Sequence, residues 1–231
     1  ADHHDIFEIK NYNDPSWGIN RGDAMELECN YLLMCDNLLD PTHVAWVHAG
    51  SFGQAATKSA PLRVKKTDDG VIVHRWMLDV EPAPFYKKVV GFKGNCDRLQ
   101  HYEVRYPSNA LIKAIFTPAG TGGSEGKLHE DVFIMDSYNF MTPVTESKTR
   151  YYWFQLRNIR PDDPELSQLM TDDVQHAFEE DQNVLNEVQK GMTNKTSPHI
   201  DLPIDAGQLR FRRQLQAMIN EEVQVDKQMA Q

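Results

Sequence analysis

Apolar and polar positions change rhythm several times along the chain, and each change marks an element. Between residues 31 and 49 the apolar pairs Leu32/Leu33, Leu38/Leu39 and Trp46/Val47 supply the faces of one predicted helical segment. From residue 62 the period shortens to two. Residues 62–66 and 71–78 read as strands joined by Thr67-Asp68-Asp69-Gly70, a hairpin turn whose glycine is expected at positive φ. Further alternating or aromatic-rich runs follow at 98–106, 110–117, 131–140 and 150–159, separated by Pro107-Ser108-Asn109, a glycine-rich loop and Thr142-Pro143. Helical rhythm returns at 164–190 and again near 208–223, the latter apolar at Phe211, Leu215, Met218 and Ile219. A meander of strands closed by helices is an α+β arrangement. No repeat or long linker divides it, so residues 1–231 read as one domain.

The stripe of the long helix runs Leu166, Met170, Val174, Ala177/Phe178, Val184/Leu185 and Val188, and Asp181 falls on it. A carboxylate on a buried face is costly unless something positive neutralises it, whereas Glu179 and Glu180 are free to face water. The positive group has a candidate in Asn37-Leu-Leu-Asp40-Pro-Thr-His43-Val-Ala-Trp-Val-His48. An ideal helix turns about 100° per residue, so His43 and His48 would point about 140° apart, and they reach one ion only if the helix widens or ends between them. Asn37, Asp40 and His43 are three apart in succession and share a helical face, which makes Asp40 the expected partner of the outward nitrogen of His43. Two histidines and a carboxylate with positions left open suit non-haem Fe(II); the same set holds catalytic zinc.

Charge and composition narrow the class. A formal net charge of −10 argues against nucleic-acid binding, which wants a basic face. No stretch is long and apolar enough to span a membrane. Cys29, Cys35 and Cys96 follow no pattern and suit a reducing cytoplasm as buried small side chains. Ala1-Asp-His-His-Asp has neither the apolar core nor the basic flank of a signal peptide. Gly120–Leu128 lacks phosphate-loop spacing and reads as a surface hairpin. Arg210, Arg212 and Arg213 read as the solvated face of the last helix.

The motif Asn37-x2-Asp40-x2-His43-x4-His48, followed by Phe178-x-Glu180-Asp181-x3-Leu185, resembles the catalytic domain of Rieske non-haem iron oxygenases. Asp36-Asn37, Val47-His48, Thr142-Pro143, Tyr152-Trp153-Phe154, Arg157-Asn158 and Asp205-Ala206-Gly207 are similar, in order, to the vanillate O-demethylase and toluenesulfonate methyl-monooxygenase branch. The resemblance implies a helix-grip fold, an antiparallel sheet curled around a long C-terminal helix. It implies His43, His48 and Asp181 as ligands of a mononuclear Fe(II), with Asn37 near the open side of the iron. Asp40 then corresponds to the aspartate bridging to the [2Fe-2S] Rieske cluster of a neighbouring subunit in a homotrimer. Such a cluster needs Cys-x-His and Cys-x2-His pairs. The cysteines supply neither, so the chain reads as the catalytic portion of a longer protein whose Rieske part is N-terminal to it.

Electrons would come from NAD(P)H through a partner reductase to activate O2 against an aromatic substrate. O-demethylation or methyl hydroxylation of an aromatic acid is the expected reaction; ring cis-dihydroxylation and non-catalytic ligand binding are the alternatives. Substrate contacts carry over poorly. Where one member has a pocket histidine this chain has Asn139, and where it has a pocket tryptophan this chain has Asp172. An acid group then needs another partner, with Lys113 or Arg105 on the sheet as candidates.

Overall fold

The computed structural model describes residues 6–58, 60–91, 93–194 and 200–229; Ala1–Asp5, with the signal-peptide question, lie outside the described residues. The predicted meander is present as β3 (Arg63–Lys66), β4 (Gly70–Val80), β5 (Cys96–Arg105), β6 (Asn109–Pro118), β7 (Phe133–Thr145) and β8 (Lys148–Arg157). Two strands too short to carry a readable alternation precede it, β1 (Gly18–Arg21) and β2 (Met25–Leu27). They bind successive halves of β8, with Gly18 opposite Arg157 and Leu27 opposite Thr149. The result is one antiparallel sheet in the order β1-β8-β7-β6-β5-β4-β3, with β2 also on β8.

Among the described residues four α-helices complete the α+β fold: α1 (Tyr31–Asn37), α2 (Pro84–Val90), α3 (Pro164–Thr193) and α4 (Ala206–Met229). At the start of α3 the Asp163 side chain accepts from Leu166 N at 2.9 Å, and Pro164 occupies the first turn, where its missing N–H costs nothing. Its buried stripe is Leu166, Met170, Val174, Ala177, Asp181 and Leu185, so the carboxylate does lie on the inner face. Val184 and Val188, expected on that stripe, are exposed, as are Met218 and Ile219 of α4. The stripe meets the inner face of the curled sheet, where Val104, Phe116, Met135, Met141 and Trp153 are buried. Each such side chain contributes about 1.5–3 kcal/mol through burial. This is the helix-grip arrangement. Among the described residues no helix is long and apolar enough to cross a membrane.

Several local expectations are corrected. The helix expected over 31–49 ends at Asn37, because Pro41 lacks an amide donor and disfavours helix in the residue before it. Gly70 does not have positive φ; it is needed because a Cβ there would stand 2.1 Å from the Val104 carbonyl oxygen. Thr142-Pro143 is no break: β7 runs on to Thr145, with Pro143 beside a register shift that spares it a ladder hydrogen bond. Arg212 is not simply solvated but grips the Asp36 carboxylate, its Nε lying 2.9 Å from Oδ1. The Gly120–Leu128 segment forms a turn around a 3-10 helix at Gly123–Glu125, with positive φ at Gly120, Gly122 and Gly126. Cys29, Cys35 and Cys96 are free and buried.

Candidate metal centre

Past α1 the chain tightens rather than winding on. Residues His43–Ala45 form a single 3-10 turn, and the His48 carbonyl then accepts from Ser51 N at 3.1 Å and Gly53 N at 2.8 Å. A Cβ on Gly53 would meet the Val44 carbonyl oxygen at 2.6 Å, so only glycine lets the loop fold back this closely. The helix thus ends ahead of both histidines, which is how residues five apart turn to the same side. Their rings stand 5.2 Å apart at 78° to each other. Across from them, α3 presents Asp181.

Asp181 Oδ1 lies 3.2 Å from His48 Nε2 and 3.6 Å from His43 Nε2. Two atoms each about 2.1 Å from a common ion, subtending roughly 90–110°, lie about 3.0–3.4 Å apart. The His48–Asp181 pair falls within that range and the His43–Asp181 pair just outside it, and among the described residues these three form one of two groups of close potential ligands. The other, His129, Glu130 and Asp131, lies toward solvent, where acidic clusters need no ion. Asp181 Oδ1 is buried and has no hydrogen-bond partner.

The outer nitrogens are held too. His43 Nδ1 donates to the backbone oxygen of Asp40 at 2.5 Å, and His48 Nδ1 pairs with Glu180 Oε2 at 2.8 Å. A carbonyl can only accept, so Nδ1 of His43 carries the hydrogen and Nε2 presents its lone pair inward, as a ligand must. Burial favours neutral His48, but the charge of Asp181 together with the hydrogen bond and charge of Glu180 outweighs it and raises the pKa.

The model of the vanillate O-demethylase oxygenase C-terminal domain matches residues 27–221, the span that holds all three of these side chains. The chain belongs to that family. The vanillate O-demethylase oxygenase subunit of a Pseudomonas species is 30% identical over 224 residues, covering 94% of this chain and 67% of that protein. The iron-sulfur subunit of a toluene-4-sulfonate monooxygenase system from Comamonas testosteroni is 30% identical over 207 residues, covering 88% and 59%. Dicamba monooxygenase bound to 3,6-dichlorosalicylic acid shares the fold, with a TM-score of 0.87 over 96% of this chain and 65% of that one at 21% identity. The chain thus spans between 59% and 67% of these three proteins.

In this vanillate O-demethylase-type domain an aromatic and aliphatic cavity opens beside the centre, lined by Val44, Phe52, Ile112, Val174 and Phe178 together with His43, His48 and Asp181. Asn37 and Asp40 are not among its lining. They line a separate groove between α1, α3 and α4, and His43 borders both spaces. The Asp40 carboxylate does not hold His43, as its spacing suggested. It accepts from Thr42 N at 2.8 Å while its backbone oxygen takes the imidazole, since the chain is no longer helical there. Asn37 Nδ2 is buried without a partner in that groove.

None of the expected substrate contacts lines the cavity. Lys113 lies on the opposite face of β6 from Ile112 and pairs with Asp136 at 2.8 Å. Arg105 is held by Glu103 at 2.5 Å and by Asp69 at 3.2 Å. Asn139 is buried but committed, donating to Ser137 O at 2.9 Å and accepting from the Tyr151 hydroxyl at 2.6 Å. Asp172 is exposed on α3, where it accepts from Gln168 at 2.7 Å. Sequence reasoning missed Glu180, set aside as solvent-facing, and the polar lining Arg98, Tyr102, Ser137 and Gln155. A signal for Arg98 existed, because it shares strand parity with Cys96, Tyr102 and Val104, all buried.

Proposed function

We propose that this chain is the mononuclear-iron domain of an oxygenase component acting on an aromatic acid, placing one oxygen atom on a methoxy or methyl substituent by O-demethylation or methyl hydroxylation. The observation that carries this reading is Asp181 Oδ1: buried, without a hydrogen bond, and faced by Nε2 of two histidines whose outer nitrogens are already engaged. Such a carboxylate calls for a cation, and two imidazoles with one carboxylate leave positions open as oxygen-activating Fe(II) requires. Dicamba monooxygenase, which shares the fold, has a structure with non-heme iron and dicamba. The family's subunits act on vanillate and toluene-4-sulfonate, which favours a substituted aromatic acid here.

Bound Fe(II) would supply the means of activating O2, with electrons arriving from NAD(P)H through a reductase and a Rieske [2Fe-2S] cluster. The chain's own residues do the rest. Asp40 and Glu180 fix the tautomers of the histidines. Val44, Phe52, Ile112 and Phe178 exclude water and hold an aromatic ring beside the open side of the centre. Asp40, in the groove that His43 also borders, is where the cluster of a neighbouring subunit in a homotrimer would meet the site.

The test uses the intact oxygenase with its reductase, NADH and 18O2 on methoxy- and methyl-substituted benzoates and sulfonates, alongside iron analysis per chain. One labelled oxygen should enter the substituent carbon. A cis-dihydrodiol carrying two labelled atoms would overturn the monooxygenation reading, and protein that binds zinc but not iron would overturn the oxygenase reading itself.

A further inference from the structure

Arg98 is 2% exposed, and among the described residues no carboxylate pairs with it. Its Nη1 donates to Gln54 Oε1 at 2.7 Å and to the Phe52 carbonyl at 3.2 Å, and the guanidinium lies over the rings of Tyr86 at 4.9 Å and Phe116 at 5.3 Å. Its Nε is buried with no acceptor at all. Arg75, equally buried on the neighbouring strand, shows what a purely structural arginine looks like here: Nε, Nη1 and Nη2 all find acceptors, on Gln100, Ala60 and Pro41. Arg98 lines the cavity that holds His43, His48 and Asp181, and its Nε is left without an acceptor. A buried cation facing apolar walls calls for an anion.

The anion is not Asp181, whose carboxylate is taken up by the histidines. Ser137 does not share the task, since it pairs with Ile112 and Ile112 with Tyr102, four residues along β5 from Arg98, about 13 Å at strand rise, whereas the Tyr86 side chain hydrogen-bonds with Arg98 at the cavity wall. Phe52 links Arg98 to the centre. Its carbonyl receives Arg98, and its ring lies 6.3 Å from that of His48. Phe52 therefore contacts both the guanidinium and a histidine of the centre, and all three line the one cavity that an aromatic acid would enter.

Resting on the oxygenase reading, we propose that Arg98 is the specificity-determining residue that binds the oxyanion of the substrate, a carboxylate or sulfonate on an aromatic ring. Arg98 also braces the loop at Phe52–Gln54, so its removal has a structural arm that the test must separate. The measurement is equilibrium binding by titration calorimetry in the intact protein under anaerobic conditions. The probes are 4-methoxybenzoate and toluene-4-sulfonate, each against its neutral amide.

Wild-type protein should bind at least one acid about tenfold or more tighter than the matching amide, as a charge-assisted hydrogen bond requires. Which acid shows the preference tells carboxylate from sulfonate. In Arg98→Met that preference should collapse to within about twofold while amide affinity stays within about threefold. Arg98→Lys should recover part of it, and Lys113→Met, on the other face of the sheet, should leave it whole. If Arg98→Met fails to fold, the wild-type acid-to-amide ratio and Arg98→Lys decide. Acid and amide of equal affinity in the wild type, no binding of either acid below about 1 mM, or a folded Arg98→Met that keeps the preference would each overturn the proposal. Those results would leave the oxygenase reading standing if neutral aromatics were still oxidised by O2. An intact acid preference with no iron bound would sink the oxygenase reading instead.

Discussion

Asp181→Asn separates a metal ligand from a carboxylate that merely holds the fold. The substitution keeps shape and removes charge. In the metal-free protein the carboxylate is answered only by His48 at 3.2 Å and His43 at 3.6 Å, and its Oδ1 forms no hydrogen bond. Asp181 and Glu180 raise the His48 pKa against the pull of burial, so losing Asp181 removes one of the two charges that favour the imidazolium. The two changes nearly cancel. The metal-free stability should move by less than about 1 kcal/mol, whereas removing one partner of a buried ion pair that holds a fold costs about 3–5 kcal/mol. For a domain of this size 1 kcal/mol is about 2–4 °C in Tm.

Metal supplies the second arm. A ligand at a hundred times its Kd stabilises by about 2.7 kcal/mol, or roughly 5–10 °C here. Wild-type protein should gain that shift from Fe(II), and Asp181→Asn should gain almost none. Anaerobic scanning calorimetry with and without Fe(II) reads both arms. A metal-free variant melting more than about 10 °C below wild type, or one that keeps the Fe(II) shift, would refute the reasoning.

Glu180→Ala removes the acceptor of His48 Nδ1 and should weaken Fe(II) binding by about 10–100-fold with the circular dichroism unchanged; chelator competition gives the number. Asp40→Asn keeps the backbone oxygen that holds His43, so iron content should stay normal while reductase-coupled turnover falls. Normal single-turnover transfer from cluster to iron in that variant would rule out the bridging role. On the sheet, burial pushes the Glu103 carboxyl up, but hydrogen bonds and charges from His101 and Arg105 outweigh it and hold it at about 2. A folded value below the unfolded one means that this stabilisation is complete above about pH 4.5 and is lost as pH falls toward 2. Glu103→Gln should therefore cost about 2–3 kcal/mol at pH 7 and flatten the acid side of the Tm profile.

What the sequence disclosed follows the reach of its signals. Asp181 was readable because α3 is long, and a periodic stripe of several turns makes one carboxylate on it conspicuous. The strands from β4 to β8 were readable for the same reason. β1, β2 and α2 span 4, 3 and 7 residues, too few to set a period. The end of α1 had a visible cause in Pro41, yet the apolar pairs on either side of it looked continuous, and continuity was the wrong inference. Glu180 was missed because periodicity sorts positions into inward and outward only. At 33% side-chain exposure it is neither, standing at the rim of the helix where it reaches His48. Lys113 is a candidate acid partner by its residue type, but the outer face of the sheet claims it through Asp136, while Arg98 needs the parity of β5 to be followed through.

Three of the buried polar atoms without a partner lie together. Asp181 Oδ1, Arg98 Nε and Ser137 Oγ all belong to side chains of one cavity, and each is buried without a protein partner. Elsewhere on the same sheet the buried Arg75 finds acceptors for Nε, Nη1 and Nη2, whereas Arg157 on β8 leaves Nε and Nη1 without one. Unpaired donors and acceptors of opposite charge, kept apart in one apolar space, lower the stability of the empty domain and make it receptive to two things at once. A cation fits against Asp181 and an anion against Arg98. His43, bordering the cavity on one side and the Asp40 groove on the other, lies where events in the groove would reach the first of these groups.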